Sequence, residues 1–391
     1  MISFEEAYKI VIDAQYYEVN TERIELNKSI NRVLAKDIVS DINMPPFNKS
    51  AMDGYACKRE DLNNDLEILE VIAAGSVPSK VVGTNQCSKI MTGAKLPEGA
   101  DCVVKVEDTE ETEDGKMRFV ANETKDNFVP TGQDVEEGEL VLKQGTLLGP
   151  QHLAVAASVG YDFPRVYKKV RVGVISTGDE LVEPFAKPAE GQIRNSNAYQ
   201  LIGQLNSMNV TPYYFGIAKD NEESTTRIIN KAISETDVVL LTGGVSMGDF
   251  DFIPKIFDEL GVEIKFKEMA VQPGKPTVFG VLGNKFIFGL PGNPVSSFNI
   301  FELLTKPFIY SLMGHKYEPV ELNVPLGEGY KRKRSSRRSF IPVRIENAKA
   351  WPIVYHGSAH IQAMTQAHGL ISIPVGVSEL KEGELVDVRQ I

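Results

Sequence analysis

The sequence contains little cysteine. Only Cys57, Cys87 and Cys102 occur among 391 residues, and no Cys-x-x-Cys pair is present. An odd, unpaired set of this kind argues against a disulfide framework and against a structural zinc site. The first residues also lack the basic-then-apolar pattern of a secretion signal. We therefore predict free thiols in a cytoplasmic protein.

Long apolar runs, basic excess and common nucleotide motifs are missing too. The most apolar stretch, residues 295–314, is interrupted by Ser, Asn, Glu and Lys, so no membrane span is predicted. Lys and Arg number 42 against 53 Asp and Glu, and a net charge of −11 disfavours a protein that coats nucleic acid. Neither GxGxxG nor GxxxxGK(S/T) occurs, so dinucleotide and P-loop folds lose their main support.

A chain of 391 residues is too long for one hydrophobic core, and its texture changes along its length. Residues 1–43 begin with a helical pattern, with Ser3 as the expected N-cap. Residues 44–142 are short β-type runs broken by Gly and Pro. Residues 170–315 alternate Val/Ile/Leu strands with amphipathic helices, which predicts a mainly parallel sheet covered on both faces. After Gly314 the helical patterning stops, and a small β domain is expected.

In parallel sheets of this kind, ligands bind outside the carboxyl ends of the strands. Five loops expected there carry polar or glycine-rich sequences: STGDEL (176–181), KDN (219–221), TGGVSMGDFDF (242–252), QPGKP (272–276) and LPGNPVSS (290–297). Gly243 and Gly244 allow a backbone to approach a ligand closely, and Ser246 adds a hydroxyl. Asn293 and Ser297 belong to a helix N-terminus, which favours anions.

The same loops carry charge suited to a phosphorylated ligand and a cation. Their acids are hard oxygen ligands of the kind that Mg²⁺ takes beside phosphate: Asp179, Glu180, Asp220, Asp249 and Asp251. Lys275, between Gly274 and Pro276, is a point charge suited to an oxyanion. Each residue alone is typical of a turn or a solvated surface. Their shared position at strand ends is what predicts a binding site.

Three further segments have other interpretations. KRKRSSRR (331–338) has six basic residues in eight. Its three interpretations are a nucleic-acid arm, which the net charge disfavours, a solvated hairpin, and an anion-binding edge that faces the α/β region. EDTEETED (107–114) has six acids in eight, which favours a solvated hairpin. His356 and His360 lack the HExxH pattern or a Cys partner, so we predict loop or core histidines rather than zinc ligands.

Several motifs together resemble one family. PPFNKSAMDGYA (45–56), MTGAKLPEGAD (91–101), GQDVEEG (132–138), TGGVSMGDFD and GLPGNPVSS occur in the order seen in the molybdopterin molybdenumtransferases. The chain resembles these MoeA proteins, and is similar to the E domain of gephyrin, over essentially its whole length. Two positions depart from the common pattern: Asn48 stands where an acid is frequent, and Gln272 where a lysine is frequent.

The resemblance implies a multidomain α/β plus β fold in an elongated homodimer. The implied parts are an N-terminal linker domain in two segments (1–43 and 143–168), an inserted β-rich domain (44–142), a three-layer α/β domain like MogA and MoaB (169–316) and a small, barrel-like C-terminal β domain (317–391). It also implies a transferase that inserts molybdate into adenylylated molybdopterin, with Mg²⁺-dependent release of AMP, to give molybdenum cofactor. Transient contacts with the pathway's adenylyltransferase and with apo molybdoenzymes would follow, without nucleic-acid or membrane partners.

Matching positions carry implied roles. Glu180, Asp220 and Asp251 would be catalytic and metal-binding, and Lys275 would be catalytic at the oxyanion. The implied substrate-binding residues are Thr92, Asp134, Gly243, Gly244, Ser246, Pro276, Asn293, Ser297 and Arg337. Of these, Thr92 and Asp134 would complete the cleft of the partner chain. Two alternatives stay open: a MogA-like molybdopterin adenylyltransferase, and a non-catalytic pterin-binding scaffold.

Overall fold

The computed structural model describes residues 1–14, 20–219, 221–244 and 253–391. The chain starts with helix α1 (Phe4–Asp13). Its first turn is capped as predicted, because Ser3 Oγ accepts a hydrogen bond from the Glu6 N–H at 3.1 Å. Ala7 and Val11 lie on its buried face, which follows from their spacing of four residues.

Short strands dominate the next 150 residues. In chain order the elements are β1 (Thr21–Arg23), β2 (Ile38–Val39), β3 (Lys49–Ser50), β4 (Gly54–Cys57), β5 (Glu67–Ile72), β6 (Gln86–Ile90), β7 (Cys102–Lys105), β8 (Thr109–Glu111), β9 (Met117–Phe119), β10 (Phe128–Val129), β11 (Leu140–Leu142), α2 (Pro150–Ser158) and β12 (Arg165–Tyr167). A four-stranded sheet has the order β5-β6-β4-β7. Outside it, β1 pairs with β12 and β2 with β11, so these two early strands pair with strands that follow the four-stranded sheet in the chain.

Two features of this part were predicted from composition. The acidic segment 107–114 contributes β8 to an antiparallel hairpin with β9, which confirms the hairpin interpretation. The three cysteines are free and buried, with Cys57 in register with both Cys87 and Cys102 on the neighbouring strands. Burial raises the pKa of the Cys87 thiol to about 12, so this thiol stays protonated and unreactive at neutral pH.

The α/β region contains a six-stranded sheet. Its elements are β13 (Arg171–Thr177), β14 (Leu181–Val182), β15 (Ile193–Arg194), α3 (Asn197–Ser207), β16 (Thr211–Ala218), α4 (Glu222–Glu235), β17 (Val238–Thr242), α5 (Ile253–Glu259), β18 (Glu263–Phe266), β19 (Val271–Gln272), β20 (Val278–Leu282), β21 (Lys285–Leu290), α6 (Pro294–Ile300), a π-helical segment (Phe301–Thr305) and α7 (Lys306–Leu312). The order is β16-β13-β17-β21-β20-β18, with the first four strands parallel. The prediction of a mainly parallel sheet is confirmed.

Apolar cores cover both faces of this sheet, which explains its continuous apolar strands. Along β17, Val238 and Leu240 belong to one core, while Val239 and Leu241 belong to the other. Alternate residues of a strand point to opposite faces, so a strand between two helical layers must be apolar at every position.

A second six-stranded sheet follows. Its region contains β22 (Glu321–Pro325), β23 (Tyr330–Lys331), β24 (Arg338–Glu346), β25 (Lys349–Pro352), a 3₁₀ helix (Ile361–Gln366), β26 (Gly369–Ile373), β27 (Glu379–Leu380) and β28 (Leu385–Gln390). The sheet order is β19-β24-β26-β28-β22, with β25 beside β24. The expectation that helices stop at Gly314 is therefore wrong in one detail, because a 3₁₀ segment of six residues is too short to show a helical period.

Strand β19 lies where the N-terminal segment, the α/β region and the C-terminal sheet meet. It follows the α/β strand β18 in sequence but pairs in parallel with β24, with Val271 opposite Arg338. Just before it, Ile2 forms a bridge with Met269. The N-terminal segment and the C-terminal sheet thus meet the α/β region at the QPGKP loop. Within the described ranges, no helix is long and apolar enough to cross a membrane.

Candidate active site

The four parallel strands of the α/β sheet end at one edge. Thr177 lies opposite Ala218, Ser176 opposite Thr242, and Thr242 opposite Leu290. Four of the five loops named from the sequence begin at these positions. The strand ends from which these loops start lie side by side at the carboxyl edge of the sheet, as expected.

The fifth loop, QPGKP, reaches the same edge by a different route. It precedes β20, which runs antiparallel to β21 with Val278 opposite Gly289. The start of an antiparallel strand lies beside the end of its neighbour. Gly274 is close-packed there, since an added Cβ would lie 2.5 Å from Ile300 of α6.

A cleft of about 340 Å³ opens at this edge. Its lining combines strand ends, loops and two residues of the C-terminal region: Thr177, Glu180, Leu181, Ile193, Arg194, Asn195, Ser196, Asn197, Thr242, Gly243, Gly292, Asn293, Pro294, Ala359 and Ile361. The C-terminal part is held there by a hydrogen bond of 2.9 Å from the Val295 N–H to the Ser358 carbonyl. The cleft therefore brings together Glu180, Gly243 and Asn293 of the predicted set.

Gly243 and Gly244 allow β17 to turn against β13. Both have positive φ angles, +86° and +63°. A Cβ on Gly243 would lie 2.7 Å from the Thr177 carbonyl oxygen, and one on Gly244 would lie 3.0 Å from Thr177 Oγ1. Only glycine combines this backbone conformation with such close packing.

Glu180 is exposed at the mouth of the cleft. Its loop is fixed by the parallel pair β14–β15 and by a 2.8 Å hydrogen bond from the Ile193 N–H to the Glu180 carbonyl. An exposed carboxylate in this position suits a hard cation. Among the described residues, no group of three or more His, Cys, Asp or Glu side chains could hold a metal ion. Asp220, Ser246, Asp249 and Asp251 lie outside the described residues.

Asn195 was not named from the sequence but lies at the base of the cleft, with 1% exposure. Its Oδ1 accepts from Ser176 Oγ at 3.0 Å, and its Nδ2 donates to the Tyr214 hydroxyl at 2.9 Å. The Tyr214 hydroxyl donates to Glu183 at 2.6 Å. Burial, reinforced by this bond, raises the pKa of Tyr214. The network positions the β14–β15 segment that carries Glu180, and only the fold brings its members together.

Lys275 and Arg337 lie on the paired segments β19–β24 and their flanks. The Lys275 Nζ is 2.9 Å from Glu268 Oε1 and its side chain is 44% exposed, while Pro276 beside it is half-buried. Arg337 Nη1 donates to the Val271 carbonyl at 3.4 Å. Arg332 is anchored by bonds to the carbonyls of Arg337, Pro374 and Val377. The basic stretch thus runs beside the QPGKP loop rather than forming an isolated hairpin.

Ser297 is fully buried in α6 and its hydroxyl has no hydrogen-bond partner among the described residues. It does not belong to the cleft lining, whereas Asn293, at the start of the same helix, does. Pro294 occupies the first position of the helix, where its missing N–H costs nothing.

Thr92 and Asp134 belong to loops in the first half of the chain, Thr92 after β6 and Asp134 between β10 and β11. The Thr92 N–H and hydroxyl donate to Asp53 Oδ1 at 2.6 and 2.9 Å, and these bonds lower the pKa of Asp53. Asn48 Oδ1 accepts from the Thr131 N–H at 3.0 Å and from its hydroxyl at 3.2 Å, three residues before Asp134. An amide oxygen therefore does here what a carboxylate oxygen would do. Asp53 belongs to the motif SAMDGYA, but only the fold shows its hydrogen bonds with Thr92.

Comparison with known proteins decides the family. The chain is 35% identical to the molybdopterin molybdenumtransferase of Staphylococcus epidermidis over 99% of its own length and 95% of that protein. With the Bacillus subtilis protein of the same name it shares 33% identity, over 95% and 90% of the two chains. This chain belongs to the molybdopterin molybdenumtransferase (MoeA) family.

MoeA family models match most of the sequence. The MoeA N-terminal region (domain I and II) matches residues 2–160, a probable molybdopterin binding domain matches 173–311, and the MoeA C-terminal region (domain IV) matches 323–391. A crystal structure of a MoeA protein from Pyrococcus horikoshii OT3 superposes with a TM-score of 0.88 at 30% identity, covering all of both chains. The multidomain α/β plus β architecture is thus that of the MoeA family.

Proposed function

We propose that this chain is a molybdopterin molybdenumtransferase, which inserts molybdate into adenylylated molybdopterin and releases AMP. The observation that carries the proposal is full-length similarity to relatives of that name, joined to a cleft at the carboxyl edge of the α/β sheet. The reaction belongs to molybdenum cofactor biosynthesis. We place it in the cytoplasm, with transient transfer contacts to the pathway's adenylyltransferase and to apo molybdoenzymes.

In this proposal the adenylylated pterin occupies the cleft. Gly243 and Gly244 let its phosphate approach the backbone, and Asn293 presents the amino end of α6. Ser246 is proposed as a further contact, and Ser297 as a buried support for the helix start. Asn195 holds the segment of Glu180 in place through Ser176 and Tyr214.

Hydrolysis of the adenylate requires in-line positioning and neutralisation of charge more than a protein nucleophile. Glu180, Asp220 and Asp251 are the proposed holders of Mg²⁺, and the exposed carboxylate of Glu180 fits such an ion. When bound, Mg²⁺ would neutralise charge on the phosphoryl oxygens. Lys275, with Pro276 beside it, and Arg337 would bind the oxyanion from the β19–β24 side.

The finer architecture is also proposed: a linker domain in two segments, an inserted β-rich domain, a MogA-like domain and a barrel-like C-terminal domain, assembled as a homodimer. Thr92 and Asp134 are exposed and belong to loops of the first half of the chain. We propose that they complete the cleft of the partner chain, with Asp53 holding Thr92 in place.

The test uses purified full-length protein with adenylylated molybdopterin, Mg²⁺ and molybdate. Molybdate-dependent release of AMP, together with activation of an apo molybdoenzyme by the product, is the expected result. ATP consumption with unmodified molybdopterin would instead indicate an adenylyltransferase. Pterin binding without AMP release or cofactor formation would indicate a scaffold, and either result would overturn the proposal.

A further inference from the structure

The ammonium group of Lys275 already has an anionic partner. Its Nζ lies 2.9 Å from Glu268 Oε1, and the Glu268 side chain is 24% exposed. An incoming oxyanion would therefore meet a lysine whose charge is shared with a carboxylate of the same chain.

The backbone fixes this pair on both sides. The Met269 N–H donates to the Lys275 carbonyl at 3.0 Å, which closes the loop between the two residues. On the other side, the Ile2 N–H donates to the Glu268 carbonyl at 3.2 Å and the Ala270 N–H donates to the Ile2 carbonyl at 2.7 Å. The N-terminal segment thus fixes the backbone at Glu268.

Besides Lys275, few cationic side chains have a described contact at this loop. Gln272 is neutral, and Arg338 at the adjoining strand is paired with Glu5. Arg337, the residue before β24, donates to the Val271 carbonyl, which places its guanidinium beside β19. Because QPGKP has only one lysine, the carboxylate of Glu268 is a large part of the net charge around the Lys275 ammonium.

We propose that Glu268 is a positioning residue that sets the affinity for the oxyanion, by competing with it for the Lys275 ammonium. The inference rests on the proposed function, since it assigns the oxyanion to Lys275. A dianion bound at Lys275 would lie a few ångströms from the Glu268 carboxylate, and like charges at that distance repel even in a high dielectric. Glu268 thereby raises the molybdate concentration at which the site is half-filled.

The experiment measures the molybdate concentration for half-maximal AMP release by the full chain with adenylylated molybdopterin and Mg²⁺. For Glu268→Gln we expect that concentration to fall by about tenfold, because the repulsion and the competition are removed together. The maximal rate should stay within about twofold, since saturating molybdate displaces the carboxylate in either protein. Glu268→Asp keeps the charge on a shorter side chain and should lie between the wild type and Glu268→Gln.

Glu263→Gln is the matched control. Its ion pair with Lys265 is 2.6 Å long and lies on β18, outside the QPGKP loop, so half-saturation should not change. Raising the ionic strength to about 1 M should shrink the advantage of Glu268→Gln, because the Debye length falls to about 3 Å. A purely structural role would not respond to salt in this way.

The double variant Glu268→Gln/Lys275→Ala separates the remaining outcomes. If Glu268 acts through the lysine, the double variant should match Lys275→Ala. A tenfold gain that persists without Lys275, or a Glu268→Gln protein indistinguishable from a molybdate-dependent wild type, would overturn the inference and leave the proposed function standing. A wild type whose AMP release ignores molybdate would overturn the proposed function itself.

Discussion

The two edges of the α/β sheet use charge in opposite ways. At the amino edge, Arg171 Nη2 lies 2.8 Å from Asp237 Oδ1, and Lys285 donates to the Thr236 carbonyl at 2.5 Å. At the carboxyl edge, Glu180 is exposed at a cleft between close-packed glycines and the start of α6. The amino edge pairs these charges within the chain, whereas the carboxyl edge holds the cleft that we propose as the binding site. Substitutions at the two edges should therefore separate stability from activity.

The largest effect is expected at the carboxyl edge, from Gly243→Ala. The new Cβ would lie 2.7 Å from the Thr177 carbonyl, so β17 must shift. We predict that AMP release falls by about hundredfold or more, because a displacement of an ångström removes productive alignment. The matched control is Gly191→Ala, which also has a positive φ, +80°, but no atom within 4 Å of the added Cβ. Similar losses in both variants would show that strain alone, and not the cleft, accounts for the effect.

Asn195→Ala should have the next largest effect and should change both activity and stability. The substitution leaves Ser176 and Tyr214 without their shared partner, so we expect a loss of about 1–3 kcal/mol in the free energy of unfolding. Activity should fall by about tenfold, because the segment of Glu180 loses its support. Denaturant unfolding and AMP release measure the two effects. The control is Asn323→Ala on β22, where Asn323 donates to Asp387 at an exposed position; it should change neither stability nor activity. Full activity in Asn195→Ala would show that the hydrogen-bond network does not support the site.

Arg337→Ala tests whether the carboxyl edge extends to the C-terminal sheet. The guanidinium lies beside the QPGKP loop, so we expect about a fivefold higher half-saturating concentration of molybdate or pterin, in keeping with the loss of one charged hydrogen bond. The control is Lys333→Ala, an exposed residue of the same basic stretch. Equal, unchanged affinities in both variants would make the stretch a solvated surface.

The smallest effect on activity is expected at the amino edge, from Asp237→Asn. Burial alone would raise the pKa of Asp237, but its hydrogen bonds with Arg171 outweigh burial and lower it. A carboxyl group whose pKa is lower in the folded protein than in the unfolded chain stabilises the fold at pH values above its unfolded pKa. This stabilisation is lost as the pH falls through the folded pKa. At pH 7 we therefore expect Asp237→Asn to lose about 1–2 kcal/mol in the free energy of unfolding. The difference from the wild type should close below about pH 4, with AMP release unchanged at pH 7.

Equal stability at pH 7 would show that Arg171 and Asp237 contribute nothing to the sheet. A loss of activity without a loss of stability would contradict the division between the two edges. Arg118→Gln, which breaks an exposed pair with Asp65 on the separate hairpin, provides the comparison for an ordinary surface ion pair. Its effect on the free energy of unfolding should be smaller than that of Asp237→Asn, because solvent screens an exposed pair.

The sequence predicts the parallel strands and their loops well, because each is encoded by a contiguous pattern. The four strand ends that meet at Thr177, Ala218, Thr242 and Leu290 follow from apolar runs bounded by turn residues. That QPGKP reaches the same edge depends on the antiparallel direction of β20, and no local pattern shows strand direction. The predicted position of the QPGKP loop is confirmed, but its cause, the antiparallel direction of β20, is seen only in the folded sheet.

Contacts between distant segments were beyond sequence reasoning. Ala359 and Ile361 line the cleft because the C-terminal region packs on α6 (Pro294–Ile300), which lies far earlier in the chain. Asn195 and the pair Glu268–Lys275 depend on side-chain directions that a single sequence does not specify. The roles of Asp220, Ser246 and Asp251 remain predictions from the motifs, since these residues lie outside the described ranges.

The most direct measurement is a crystal structure of the full chain with AMP, the proposed product. The account predicts AMP in the cleft at the carboxyl edge, with its phosphate against Gly243 and the start of α6 at Asn293. Crystals of Gly243→Ala grown with AMP in the same way should show the cleft without AMP. AMP bound in ordered density at the amino edge or elsewhere on the chain, with this cleft empty, would contradict the account.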